Sequence, residues 1–236
     1  MGLTTMNFKI IFEDENILVV DKPAGISVYS EDEKEEGLIK KLSEEKPDLK
    51  NVGTEPRYGI IHRLDKDTSG VLLVAKNNQS LEWFQKQFKE NKPSKKYTAL
   101  VIGRIDESEG KIETLIGRSK KDFRKQKVYF PGEPEAKGKR EAITEYKILK
   151  SFDDYTLIEV YPKTGRMHQI RVHLSYVHHP IVGDDKYGQK NQICPEKLKR
   201  QFLHASNLTV LMQDGSKKTF ESELPEDLKI VLEKVK

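Results

Sequence analysis

The sequence predicts an α+β fold, an antiparallel or mixed sheet with helices packed around it. Several short segments alternate apolar and polar residues at the strand period, and others carry apolar residues at helical steps of three and four. The two kinds follow one another without the regular βαβ alternation that a parallel sheet requires.

Phe8 to Val20 reads as two short strands around a turn at Asp14-Glu15-Asn16, after which Asp21-Lys22-Pro23-Ala24-Gly25 breaks the pattern. Gly37 to Leu49 predicts a charged amphipathic helix with apolar Leu38, Ile39 and Leu42. Ile60 to His62 and Val71 to Ala75 are β-prone and flank the polar loop Arg63 to Gly70. A loop pinned between buried strands is a common place for chemistry. Ser80 to Glu90 puts Leu81, Phe84 and Phe88 on one helical stripe, with Asn78 or Ser80 as N-cap. Tyr97 to Ile102 and Thr156 to Tyr161 follow as strands. From Thr164, as N-cap, the spacing of Met167, Ile170, Leu174 and Val177 predicts a helix, with His168, Arg171, Ser175 and His178 forming a polar stripe beside the apolar one. Gln201 to Leu211 returns to alternation, and Pro225 to Val235 ends as a short amphipathic helix. No repeat or low-complexity linker interrupts residues 1–236, which we read as a single domain.

Composition narrows the function classes. Charged residues make up 34% and apolar residues 36% of the chain, as in a globular protein with a heavily charged face. The apolar run Ile17 to Val20 is short and follows Glu13, Asp14 and Glu15, so it suits neither a signal peptide nor a membrane span, and a cytoplasmic location is expected. Met1-Gly2 lacks the myristoylation pattern, because Met6 stands where Ser or Thr is needed. Cys194 is the one cysteine and is expected to be a spectator thiol. The net charge of +4 is unevenly spread. Arg118 to Arg140 holds nine basic and three acidic residues, leaving −2 for the remainder, while Glu31 to Glu45 holds seven acids and three bases. Phe123, Tyr129 and Phe130 interleave the basic stretch, which suits a phosphate backbone with unstacked bases; a solvated lysine-rich loop is the plainer alternative.

Known catalytic frameworks are mostly missing. His168 and His173 would diverge by about 140° on a helix, and there is no HExxH or cysteine pair, so no metal is expected. No P-loop, GxGxxG or GxSxG is present, and no cofactor is expected. What remains is His62-Arg63-Leu64-Asp65-Lys66-Asp67-Thr68-Ser69-Gly70, where carboxylates and cations crowd one loop. Residue chemistry alone leaves two readings of it: a carboxylate kept ionised for nucleophilic or base catalysis, or a capped structural turn with a salt bridge.

That loop, continued through Val71-Leu72-Leu73-Val74-Ala75-Lys76, resembles the signature of RluA-type pseudouridine synthases, whose catalytic aspartate follows His-Arg-Leu. Further segments resemble family motifs in the same order. They are Asp21-Lys22-Pro23-Ala24-Gly25, Lys95-Lys96-Tyr97, Thr164-Gly165-Arg166-Met167-His168-Gln169-Ile170-Arg171-Val172-His173, His179-Pro180-Ile181-Val182-Gly183-Asp184, and Leu203-His204-Ala205. The resemblance spans nearly the whole chain. It implies a bent, mainly antiparallel mixed sheet with flanking helices and a central active-site cleft. Many relatives carry a small basic RNA-binding module ahead of the catalytic domain, but here Ile10 to Asp21 already matches the catalytic pattern, so no separate module is expected.

The resemblance also implies an activity: isomerisation of uridine to pseudouridine in ribosomal or transfer RNA, without cofactor, on a base flipped from its stack. It makes Asp65 the catalytic carboxylate, Arg171 its ion-pair partner, and Tyr97 the ring that stacks on uracil and helps remove the C5 proton. Arg63 would fill the vacated stack, His62 and Thr68 would shape the loop, and Arg166, His168 and Leu203 would belong to the RNA-binding and uracil-binding surface. A monomer is expected. Two rivals are a non-catalytic RNA-binding protein on the same fold, and a glycosylase using Asp65 and Asp67 as paired carboxylates.

Overall fold

A computed structural model of the chain describes residues 8–31, 35–188, 194–195 and 198–236. Met1, Gly2 and Met6, and Asp32 to Lys34 of the acidic stretch, lie outside them. The described strands are mainly antiparallel and are accompanied by four α-helices. The chain divides into two compact units, Met1–Pro93 with Asn207–Glu223, and Ser94–Ser206 with Leu224–Lys236.

In the first unit, β1 (Lys9–Glu13) and β2 (Ile17–Lys22) form a hairpin. The Asp14 carboxylate closes its turn by accepting the N–H groups of Asn16 and Ile17, each at 2.8 Å. β2 pairs antiparallel with β3 (Ser69–Ala75) from Ile17 opposite Ala75 to Lys22 opposite Gly70. All seven β3 residues are buried, which explains a run of apolar residues without alternation. The 207–211 part of β9 (Leu203–Leu211) forms a second hairpin with β10 (Lys217–Glu221). Ile17, Val19, Leu73, Phe84, Leu208, Val210 and Phe220 make the core.

Three details here depart from the sequence expectations. The helix expected to reach Leu49 is α1 (Leu38–Glu45), because Pro47 has no N–H to continue it, and a 3-10 turn over Pro47–Asn51 follows. The cap of α2 (Asn78–Lys89) is Asn77, whose side chain accepts the Ser80 N–H at 2.9 Å. Residues 60–62 contribute only a bridge between Ile60 and Val74. Gly59 explains why no strand forms there. It sits at φ +65°, and a Cβ would lie 2.3 Å from the Ala75 carbonyl oxygen, so the chain turns tightly against the end of β3.

In the second unit, β4 (Ser94–Ile102), β8 (Tyr155–Pro162), β7 (Arg140–Ser151), β5 (Glu109–Arg118) and β6 (Gln126–Tyr129) pair antiparallel in that order. Burial alternates residue by residue along β8, as its sequence pattern requires. Ala99, Leu100, Ile158, Val160, Leu174, Phe202 and Leu203 form the core with Leu228 and Val231 of α4 (Glu226–Lys234). Cys194 is half-buried and in no disulfide, its thiol donates to Leu198 O at 3.3 Å, and burial raises its pKa.

The helix α3 (Gln169–Tyr176) begins later than expected. Its N-cap is His168, in the left-handed region at φ +55°, while Thr164 uses its hydroxyl on the Gln169 side chain at 2.8 Å and accepts the Ile143 N–H at 3.0 Å. Met167, expected on the apolar face, is therefore outside the helix and exposed. His178 likewise lies beyond it, at φ +67°.

His173 joins α3 to the sheet. It is fully buried, its Nε2 is 2.9 Å from the Thr114 hydroxyl on β5, and its Nδ1 is 2.8 Å from the Thr144 hydroxyl on β7. Burial pushes its pKa down from 6.5 to about 4. The unfolded chain therefore takes up this proton first. The contribution of His173 to stability is complete above about pH 6.5 and is lost as pH falls towards 4, a change of about 3 kcal/mol. Urea unfolding of wild type and His173→Gln from pH 7 to pH 4 should show their stability difference shrinking across this window. A constant difference would contradict the assignment.

Candidate functional site

In the first unit, the 62–70 loop is held from both ends. His62 stacks on Phe88 with ring centroids 4.6 Å apart and planes 9° from parallel, and its Nε2 accepts the Leu73 N–H at 3.0 Å. Accepting through Nε2 leaves the proton of the neutral ring on Nδ1. Leu64 is buried, and the Asp65 carbonyl accepts the Thr68 N–H at 3.1 Å, making a tight turn that leaves the Asp65 side chain half-buried. Thr68 is buried at the start of β3.

The strongest clamp comes from Lys22, which has no exposed surface. Its ammonium donates to the carbonyls of Pro23 at 2.8 Å, Ile26 at 2.9 Å and Lys66 at 2.9 Å. Gly25 N–H also donates to Lys66 O, at 3.0 Å. The 21–25 motif is thus the brace of the Asp65 turn. Lys66 points its own ammonium outward to Glu35 at 2.6 Å. Arg63 is exposed, lies 5.3 Å over the Tyr29 ring and donates to its hydroxyl at 3.3 Å.

In the second unit, Tyr97 lies on β4 opposite Val160, half-buried against the core. Nearby, the Lys95 ammonium donates to Thr164 O at 3.1 Å; burial and, less strongly, the Arg166 charge push its pKa down to about 8. Arg166 donates from Nε to Glu141 O at 2.8 Å, and its backbone N–H goes to the Gln169 side chain at 2.9 Å. His168 Nδ1 is 2.9 Å from the Tyr187 hydroxyl, with the rings edge to face. Leu203 is a buried core residue.

Arg171 is not the surface arginine that a polar helical stripe suggests. It is 3% exposed and makes a bidentate pair with Asp184, Nε to Oδ2 at 2.7 Å and Nη2 to Oδ1 at 2.8 Å. Nη2 also reaches Asp185 at 3.3 Å, and the guanidinium lies 5.3 Å over the Tyr187 ring. Asp184 also accepts the N–H groups of Lys186 and Tyr187, each at 2.9 Å. Burial alone would raise its pKa, but the Arg171 hydrogen bonds and charge, with those two N–H groups, hold it below the ordinary carboxylate value. The motif His179 to Asp184 contains Asp184 but assigns it no role, and the sequence does not single out Tyr187. The available signal was an acid pair, Asp184-Asp185, one short turn after the arginine helix.

Among the described residues no group of three or more His, Cys, Asp or Glu side chains is disposed to hold a metal ion, and no helix is long and apolar enough to cross a membrane. Residues 16–176 match the family model described as RNA pseudouridylate synthase. The chain belongs to this family. It is 38% identical to the uncharacterized RNA pseudouridine synthase YlyB of Bacillus subtilis, over 98% of the chain and 74% of the relative. It is also 38% identical to ribosomal large subunit pseudouridine synthase D of Borreliella burgdorferi, over 94% of the chain and 67% of the relative. An uncharacterized RNA pseudouridine synthase of Chloroflexus aurantiacus is 42% identical, and there the chain spans 64% of the relative's length. Among solved structures, Human RNA Pseudouridylate Synthase Domain Containing 1 superposes with a TM-score of 0.75 at 28% identity, covering 96% of this chain and 86% of that one. The fold is that of RNA pseudouridine synthases, and the activity is that of an isomerase acting on RNA.

Breaking the Arg171–Asp184 pair from one side should leave a buried guanidinium without its bidentate partner. Asp184→Asn is expected to lower stability by about 3–5 kcal/mol in urea unfolding. A loss below about 1 kcal/mol would show that Arg171 finds another acceptor or reaches water.

Proposed function

We propose that the two units act together as one catalytic domain that converts specific uridines of ribosomal or transfer RNA to pseudouridine, with Asp65 as the catalytic carboxylate. The observation that carries this reading is the bracing of the Asp65 turn by the buried Lys22 ammonium, which holds a half-buried carboxylate on a rigid loop. Large-subunit ribosomal RNA is the first substrate to try, since the Borreliella relative bears that name.

The reaction detaches uracil by breaking its N1–C1′ bond, turns the base, and joins C5 to C1′, after which the C5 proton leaves and N1 regains one. Asp65 as nucleophile at C1′ passes through a covalent sugar adduct; as base at C2′ it passes through a glycal. Either path needs an ionised carboxylate, and pairing with Arg171 would keep it so. The bidentate grip of Asp184 would orient that arginine. Tyr97 stacks on the uracil and assists removal of the C5 proton, and Leu203 packs beneath the base. Arg63 enters the stack that the flipped uridine vacates. His62 and Thr68 hold the loop in shape, and Arg166 and His168 face the RNA.

Further RNA contact would come from residues 118–140, which expose Phe123 and set Phe130 5.6 Å from Tyr176. The chain works as a monomer in the cytoplasm without a cofactor, because a carboxylate, a proton acceptor and a pocket that retains the base suffice for the isomerisation.

Unmodified ribosomal and transfer RNA treated with wild type, then mapped by carbodiimide block and primer extension, should show new pseudouridine stops. Asp65→Asn should slow their appearance by at least ~10²-fold. Persistent activity in the variant would remove Asp65 from the chemistry. New binding without stops would favour an RNA-binding protein, and release of free uracil a glycosylase.

A further inference from the structure

Beside the Asp65 loop, within the first unit, is a cleft of about 460 Å³ bordered by Tyr29, Arg57, Ile60, Ile61, His62 and Arg63. We propose that this cleft is a binding subsite for one unpaired nucleotide flanking the target uridine, gripped by Arg57 and Tyr29. The inference rests on the reading of Asp65 as the catalytic residue of an RNA-modifying site.

Three observations support it. The first is composition. The Arg57 guanidinium lies 4.6 Å and that of Arg63 5.3 Å from the Tyr29 ring centroid, so two planar cations share one aromatic ring. Guanidinium planes and aromatic rings are the surfaces on which unstacked bases settle, and the guanidinium edges remain available to phosphate oxygens. The volume lies within the ~300–1,000 Å³ range of small-ligand sites.

The second is the partner that Arg57 now holds. Its Nη2 is 2.8 Å from the Glu31 carboxylate, and both side chains are largely exposed, at 53% and 72%. An exposed pair of this kind contributes little to stability, so a phosphodiester can replace the carboxylate at little cost. Glu31 marks where an anionic oxygen sits on Arg57.

The third is position. His62 and Arg63 border the cleft and precede Asp65 by three and two residues. Two residues of even fully extended chain span at most about 7 Å, so a nucleotide in the cleft is a near neighbour of the base under attack. Polar Thr54 and Gln85 border the cleft beside apolar Ile60 and Ile61, and the Tyr29 ring and the arginine charges grip a nucleotide by stacking and phosphate contact, which any base can satisfy.

The test uses the full chain and a fluorescein-labelled ten-nucleotide oligouridylate, with anisotropy read at several salt concentrations. Arg57→Ala and Tyr29→Leu should each weaken binding about tenfold. Arg57→Ala should also lower the slope of log affinity against log salt by ~0.7, the share of one phosphate contact on a single strand. Arg57→Lys should restore the slope but not the full affinity, because lysine keeps the charge and lacks the stacking plane. Unchanged affinity and slope in Arg57→Ala and Tyr29→Leu, or no measurable binding by wild type, overturns the subsite. Pseudouridine formation on unmodified ribosomal RNA is measured in parallel. Binding that responds as expected while no uridine is modified leaves the subsite standing and refutes the enzymatic role of Asp65. Modification that proceeds with the same KM in wild type and Arg57→Ala, together with unchanged binding, refutes the subsite alone.

Discussion

A cation removed from water must find oxygen acceptors to replace the water it has lost, and both candidate regions of this chain are organised by that requirement. Lys22 meets it with three carbonyls, two from its own turn and one from Lys66. Arg171 meets it with the bidentate carboxylate of Asp184 and a third contact to Asp185. In each case the acceptors come from chain segments that would otherwise be loose loops. The charge makes those loops rigid, and rigidity is what a carboxylate needs if it is to meet a sugar carbon at the right angle.

The polar side chains around Arg171 extend the same order. Asp184 binds two backbone N–H groups besides the arginine, and this fixes Tyr187. The Tyr187 hydroxyl in turn sits against His168 and accepts the Gln126 N–H at 2.7 Å, so the N-cap of α3 and the start of β6 share one anchor. His173 adds a neutral link from the same helix to β5 and β7. This short helix, which packs Ile170, Val172 and Leu174 into apolar clusters, thus gains a unique position through hydrogen bonds that each have one geometry.

Much of this was legible in the sequence. Alternation along β8 and the Leu81, Phe84, Phe88 stripe of α2 were correct because they record burial directly. The helices that differed did so at their ends, whereas residues 60–62 formed only a bridge and β5, β6, β7 and β10 were not read from the sequence. Pro47 stopped α1, Asn77 took the cap that Asn78 or Ser80 was expected to supply, and His168 replaced Thr164 because the Thr164 hydroxyl was engaged with Gln169. Such choices depend on which partner a side chain meets in three dimensions. The site followed the same division. The motif around Asp65 was readable as a string, whereas the burial of Lys22 and Arg171 was not, since a lysine or arginine among polar neighbours looks like a solvated surface. Only the folded chain brings Asp184 back to the arginine.

These features describe a scaffold that holds one carboxylate on a braced turn in a chain belonging to the RNA pseudouridylate synthase family. The most direct measurement is to incubate the protein with unmodified ribosomal RNA carrying tritium at uracil C5 and to follow tritium in solvent, pseudouridine and free uracil together. Isomerisation releases one tritium for every pseudouridine formed and no free uracil. Free uracil, or pseudouridine formed without matching tritium release, would contradict the account, as would RNA bound with no tritium released.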